Sequence, residues 1–206
     1  MYAAKPEERA RVLNRAGRER ALIQAAAKLF AAKGYEATTT REIAAVAGCA
    51  EGLISRYFKG KAGLLKALIR LHFAEEADEF RDERPAAPTL GEDIVRRVMW
   101  DVDHFAEDHE FLRVIIPQFI LTPELAREVA EVGPGRHLKL VLEKLRTHSA
   151  FCTLPPEEQE ALAQLVLAIG FMFGFWIPVM GEDRARTRRG ALMAANILAR
   201  AFRAAP

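Results

Sequence analysis

The sequence carries two cysteines in 206 residues, Cys49 and Cys152, far apart and in no ligand-like spacing. That excludes a disulfide framework and suits reduced thiols in a cytoplasmic protein. The five histidines make no metal set. His104 and His109 stand five positions apart, off one helical face, and neither HExxH nor CxxC occurs, so no metal ligand is expected. A glycine-rich phosphate loop and a nucleophile elbow are both missing, so neither an enzyme nor a cofactor is expected. Asp101, Asp103, Glu107 and Asp108 crowd together, which a solvated acidic helix face explains. No stretch alternates polar and apolar residues at period two, which argues against a sheet. The first twenty residues are charged and hold no apolar run of the secretory kind.

What the chain does have is apolar residues at helical spacing. Hydrophobic residues make up 50%, enough for a core in one or two domains. An all-α fold of about nine helices follows from the periodicity and its breakers. Met1 to Gly17 is a charged leader, partly helical after Pro6, and reads either as a frayed end or as an arm for the minor groove. Leu22, Ile23, Ala26, Leu29 and Phe30 mark a first firm helix from Arg18 to Lys33, and Leu64 to Phe73 mark another starting at Lys61. Pro85, Pro88 and Gly91 break the pattern before a helix carrying Ile94 to Phe105. His109 to Leu121 follows with Pro117 as a possible kink, then a short piece from Pro123 to Val132. After a break at Gly133-Pro134-Gly135 come helices at His137 to Ser149, Pro156 to Met180 and Glu182 to Phe202.

The stretch Thr39 to Lys61 organises the rest. Thr39 is placed to cap a helix, with Glu42 completing a capping box. Gly48 ends that helix where positive φ is needed, and a second helix runs from about Glu51 to Phe58 with Ile54 inward. Spacing alone leaves an ordinary helical hairpin open beside a helix-turn-helix, whose second helix would enter the DNA major groove. Charge leans to the second reading. Residues 1–66 hold thirteen Lys and Arg against six Asp and Glu, a net +7, while the remaining 140 hold seventeen against twenty-two, a net −5. Basic residues supply sequence-independent DNA affinity, although a basic end is also compatible with a solvated face.

The residues around this stretch resemble the TetR family of transcriptional regulators. Ala26, Leu29, Phe30, Gly34-Tyr35, Thr38 to Thr40, Ile43-Ala44, Ala47-Gly48, Gly52, Ile54, Tyr57-Phe58, Lys61 and Leu64 carry the likeness. The resemblance implies a three-helix DNA-binding head over 18–65, preceded by the basic leader 1–17. It also implies a helical effector-binding and dimerisation domain over 66–206. DNA contacts would fall on Thr39, Thr40, Arg41, Glu51, Gly52, Leu53, Ser55, Arg56, Tyr57 and Lys61. Departures at Ala50, Glu51, Leu53 and Ser55 prevent transfer of an operator preference. Glu51 is able to accept from a cytosine amino group and Leu53 to touch a thymine methyl, but a solvated first-turn carboxylate explains Glu51 as well.

Ala161 to Gly181 carries no charge. A helix apolar all round is buried or in a membrane, and Gln164 and Pro178 weaken a span. No membrane association is expected. Gly170 and Gly174 form a small-residue face suited to a partner subunit, and the resemblance implies a homodimer through the last two helices. It also implies a small-molecule effector that releases a repressor from a palindromic operator. Candidate lining residues are Trp100, His104, Phe105, Phe119, Phe171, Phe175 and Trp176, which favour an apolar or aromatic ligand. A regulator with a packed core, controlled by abundance or a protein partner, is the alternative.

Overall fold

The computed structural model describes residues 6–79 and 85–202, and every regular element among them is helical. The chain forms two compact units, one of Met1–Glu75 with Arg113–Val129 and the other of Glu76–Leu112 with Ala130–Pro206.

The first unit opens with α1, Pro6–Lys33, a single helix of 28 residues. The leader and the first firm helix are therefore continuous from residue 6, and residues 1–5 of the leader lie outside the described residues. Gly17 does not break α1. One interior glycine costs about 1 kcal/mol, and good helix formers on both sides, with the Arg15–Glu19 ion pair at i,i+4 spacing, outweigh it. Gly34, at φ 85°, ends α1. α2, Thr40–Val46, and α3, Gly52–Phe58, follow, with Gly48 at φ 62° in the turn between them. α4 spans Lys61–Glu79, so the residue 65/66 boundary expected from sequence falls inside a helix. Leu22, Ala26, Phe30, Ile43, Ile54, Leu64 and Ile69 are buried and make the core of this unit. α6, His109–Leu121, continues through Pro117 and passes from the second unit into the first. α7, Pro123–Val129, buries Leu125 and Val129. Its Glu128 accepts from Lys66 and Arg70, which ties α7 to α4.

The second unit is built on α5, Leu90–Glu107, capped by the Thr89 hydroxyl. Ile94, Val98 and Val102 of α5 pack with Val141 and Leu145 of α8 (Pro134–Leu145) and with Phe151 of the one-turn α9 (Ser149–Cys152). Leu162, Ala163 and Val166 of α10 (Pro156–Phe171) and Ala191 and Ala195 of α12 (Arg184–Arg200) complete the cluster. Pro134 starts α8 at a first-turn position, where its missing N–H costs nothing. The helix expected to reach Ser149 ends at Leu145, and His148 turns its ring onto the Asp93 carboxylate of α5.

α10 passes into a π-helical turn, Met172–Trp176, and then into α11, Ile177–Val179. Pro178 explains the widening: it has no N–H for the Gly174 carbonyl, and in α geometry its ring would clash there. Gly170 and Gly174 face α5, not the outside. A β-carbon at 170 would collide with that of Asp101, and one at 174 would lie 2.7 Å from the Val102 carbonyl oxygen. The small-residue face assigned from sequence to a partner subunit thus serves helix contact within the chain.

Candidate nucleic-acid interface

The Thr39 capping box is present. Its hydroxyl takes the Glu42 N–H and donates to the Glu42 carboxylate, while its own N–H donates to that carboxylate at 2.9 Å. Lys33 reaches the same carboxylate, and it and the two Thr39 donors pull the Glu42 carboxyl down to about 2. Thr40 donates its hydroxyl to Glu51 at 2.7 Å. Both threonine protons assigned to phosphates are thus engaged within the head.

Glu51 precedes the first residue of α3 and makes no cap hydrogen bond to the backbone. Ile54 is buried and fixes the angle between α2 and α3. Gly52, Ser55 and Arg56 are exposed, and Leu53 is half-buried. Tyr57 is half-buried with the Arg15 guanidinium 5.1 Å from its ring centre. Arg41 and Arg56 are exposed cations with no ion pair or hydrogen bond among the described residues. Arg15, Arg20 and Arg70 nearby are each paired with a carboxylate. Arg41 at the start of α2 and Arg56 on α3 stand where phosphates would sit, and Arg18, Lys28 and Lys59 are further exposed cations with no ion pair among the described residues.

Lys61 occupies a different place from the one its sequence position suggests. Its ammonium donates to the carbonyls of Tyr35 at 2.9 Å and Thr38 at 3.0 Å, lies 3.4 Å from that of Glu36, and sits 4.3 Å over the Tyr35 ring. All three donors of an ammonium are thereby used. Lys61 clamps the α1–α2 connection to the start of α4 and has no proton left for a phosphate. Thr38, buried with its hydroxyl on the Gly34 carbonyl, holds the same loop.

The second unit holds six of the seven candidate ligand residues. Trp100 stacks on His104 with ring centres 4.6 Å apart. Phe105 meets His104 at 5.9 Å and Phe171 at 5.6 Å, and Phe171 meets Phe175 at 5.3 Å. These five are brought together, and His137 of α8 joins them 5.7 Å from Phe105. Trp176 turns outward and is 45% exposed. Phe119 belongs to the first unit. A cavity of about 170 Å³ opens beside Phe175, floored by Val102, Ala106, Phe173 and Pro178 and edged by Arg184 and Arg188.

Asp101 is no part of a solvated acidic face. It is fully buried and paired with the buried Arg97, whose guanidinium lies 4.9 Å over the Trp100 ring. Burial raises the Asp101 carboxyl to about 6 against the pull of Arg97. Burial and then the Arg97 charge push His137 down to about 2, so its imidazole is neutral. The signal was available: Arg97 and Asp101 lie on the same stripe as Ile94, Val98, Val102 and Phe105, so the apolar face of α5 contains them.

Four likenesses to known proteins bear on this arrangement. Residues 22–68, from within α1 into α4, match the family described as bacterial regulatory proteins, tetR family. The HTH-type transcriptional regulator YvkB of Bacillus subtilis (strain 168) is 37% identical over 84 residues, a match spanning 37% of this chain and 44% of that protein. A TetR-family transcriptional regulator from Mesorhizobium loti MAFF303099 has a similar structure, with a TM-score of 0.72 at 20% identity, covering 91% of this chain and 98% of that one. The regulator FadR from Bacillus subtilis, solved in complex with stearoyl-CoA, gives 0.63 at 19% identity, covering 85% and 96%.

Proposed function

The chain belongs to the TetR family of DNA-binding transcriptional regulators, and from that premise we propose that it is a cytoplasmic, homodimeric repressor released from a palindromic operator by a small apolar or aromatic ligand. The observation that carries the DNA half is the pair of unpartnered exposed cations, Arg41 and Arg56, at the start of α2 and on the outer face of α3 in a helix-turn-helix. Phosphate neutralisation by such cations provides affinity, and α3 provides readout.

Dimerisation is supported by an outward apolar seam. Leu165, Met172, Trp176 and Val179 along α10 to α11, with Met193 and Ile197 of α12, are all exposed. The helical run Pro156–Val179 is long and apolar enough to cross a membrane by length and composition. A second copy of the same seam covers these side chains equally well and gives two heads for two half-sites. Ligand control is supported by the cavity beside Phe175 and by the neighbouring ring cluster of Trp100, His104, Phe105 and Phe171. Release is then a population shift: ligand prefers a conformation whose heads are wrongly spaced, and DNA weakens ligand binding by the same factor. The ring-on-ring packing of that cluster favours the alternative, a packed core with control by abundance or a protein partner.

Binding to DNA flanking its own gene, measured with the mass of the complex, tests the proposal. Two chains per operator are expected, and Trp176→Glu with Met193→Glu should give one chain and weak binding. Thermal denaturation against a library of small aromatic compounds separates the two modes of control, because a ligand that binds the folded state raises Tm and releases DNA. No stabilisation by any compound would favour the packed core.

A further inference from the structure

We propose that Glu51 is a specificity-determining residue that requires a cytosine at one position of each operator half-site, and that Thr40 is the residue that positions it. The inference rests on the operator-binding reading above and goes beyond it by naming a base. Three observations combine. Glu51 stands immediately before the first residue of α3, the end of the second helix that a helix-turn-helix inserts into the major groove. The residue is exposed, and its carboxylate is held on one side: the Thr40 hydroxyl, at the start of α2, donates to Oε1 at 2.7 Å. The second oxygen, Oε2, has no partner among the described residues.

The chemistry of the groove then selects the partner. An ionised carboxylate only accepts hydrogen bonds. Guanine offers O6 and N7 and thymine offers O4, all acceptors, so both repel it. Adenine offers its N6 amino group beside the N7 acceptor, which repels a carboxylate brought close. Cytosine offers the N4 amino group with no acceptor of its own in the groove, and is the one base that satisfies Oε2 without penalty. The Thr40 bond matters because a glutamate already held in one rotamer loses less freedom on docking, so the contact discriminates more sharply. A negative charge at this place also lowers affinity for arbitrary DNA, since any approach to phosphate is unfavourable unless the base contact forms.

The test is selection of binding sites from a randomised duplex pool with the full chain and the variants Glu51→Ala, Glu51→Gln and Thr40→Val. Equilibrium binding to the selected site, with each base substituted singly, follows, and circular dichroism checks that each variant is folded. The parent protein should enrich cytosine at one position per half-site and bind the other three bases there roughly 5- to 150-fold more weakly. Glu51→Ala should flatten that position to within about 3-fold and tighten binding to arbitrary duplex, because the repelling charge is gone. Glu51→Gln should shift the preference to adenine, whose N6 and N7 match an amide. Thr40→Val should keep the cytosine preference but weaken it. A site whose base profile is the same in Glu51→Ala overturns the proposal while leaving operator binding intact, as does an adenine preference in the parent. A parent profile in Thr40→Val overturns the positioning role. A parent that enriches no sequence overturns the operator reading and this one together.

Discussion

The two units solve opposite problems with their polar groups. In the first unit, which holds the head, the buried polar residues among those described are the uncharged Thr38 and Gln118, and hydrogen-bonding groups of the head are spent on holding loops and helix starts. In the body charged and polar groups are buried beside the apolar core: Asp93, Arg97, Asp101, His104 and Thr187. A DNA reader needs rigid first turns and leftover cations outside. A ligand site needs oriented polar groups inside, although buried charge gives no net stability by itself. The contrast predicts where each unit is fragile.

The largest effect belongs to the body. Arg97→Met leaves Asp101 buried beside no guanidinium and should cost about 3–5 kcal/mol in chemical denaturation. A second change, Asp101→Leu, should recover most of it; if the double variant is no better than the single, the pair is not the buried unit described. In the head, Lys61→Met removes a charged clamp on two to three carbonyls. It should cost about 1.5–3 kcal/mol of stability, with no change in the salt dependence of DNA binding per molecule folded. A flattened salt slope with unchanged Tm would return Lys61 to the phosphate-binding set.

The body's titration gives the next effect. His137, pushed from 6.5 to about 2, favours the folded state above 6.5 and loses that contribution as pH falls. Asp101, raised from 3.8 to about 6, works the other way: its contribution is full below 3.8 and is lost as pH rises through about 6. Between 3.8 and 6 the two slopes oppose, each up to about 1.4 kcal/mol per pH unit. His137→Gln should therefore gain stability on acidification through that window and Asp101→Asn should lose it, as followed by Tm against pH. The smallest change is Thr39→Ala, about 1 kcal/mol for a lost cap, confined to the head.

Most of the fold was legible because helical periodicity and capping act locally. The Thr39–Glu42 box, the Gly48 turn and inward Ile54 were all readable from spacing. What escaped notice depended on partners distant in sequence. Nothing local reveals that Lys61 reaches back to Tyr35 and Thr38, or that Gly170 and Gly174 are needed against α5. Pro178 suggested a helix end, but a π turn absorbs it. Of the ligand candidates, Trp100, His104, Phe105, Phe171 and Phe175 converge, whereas Trp176 faces out, because a helix apolar all round does not show from composition which face turns inward.

The most direct test of the account is the salt dependence of binding to the selected operator, for the parent chain beside Arg41→Ala, Arg56→Ala and the double variant. The account predicts a steep linear fall of log affinity with log salt, with the slope reduced by about one for each arginine removed. Stability should stay within about 0.5 kcal/mol of the parent for each variant. Slopes equal to the parent's in all three would contradict it, and would move the DNA-binding surface away from α2 and α3.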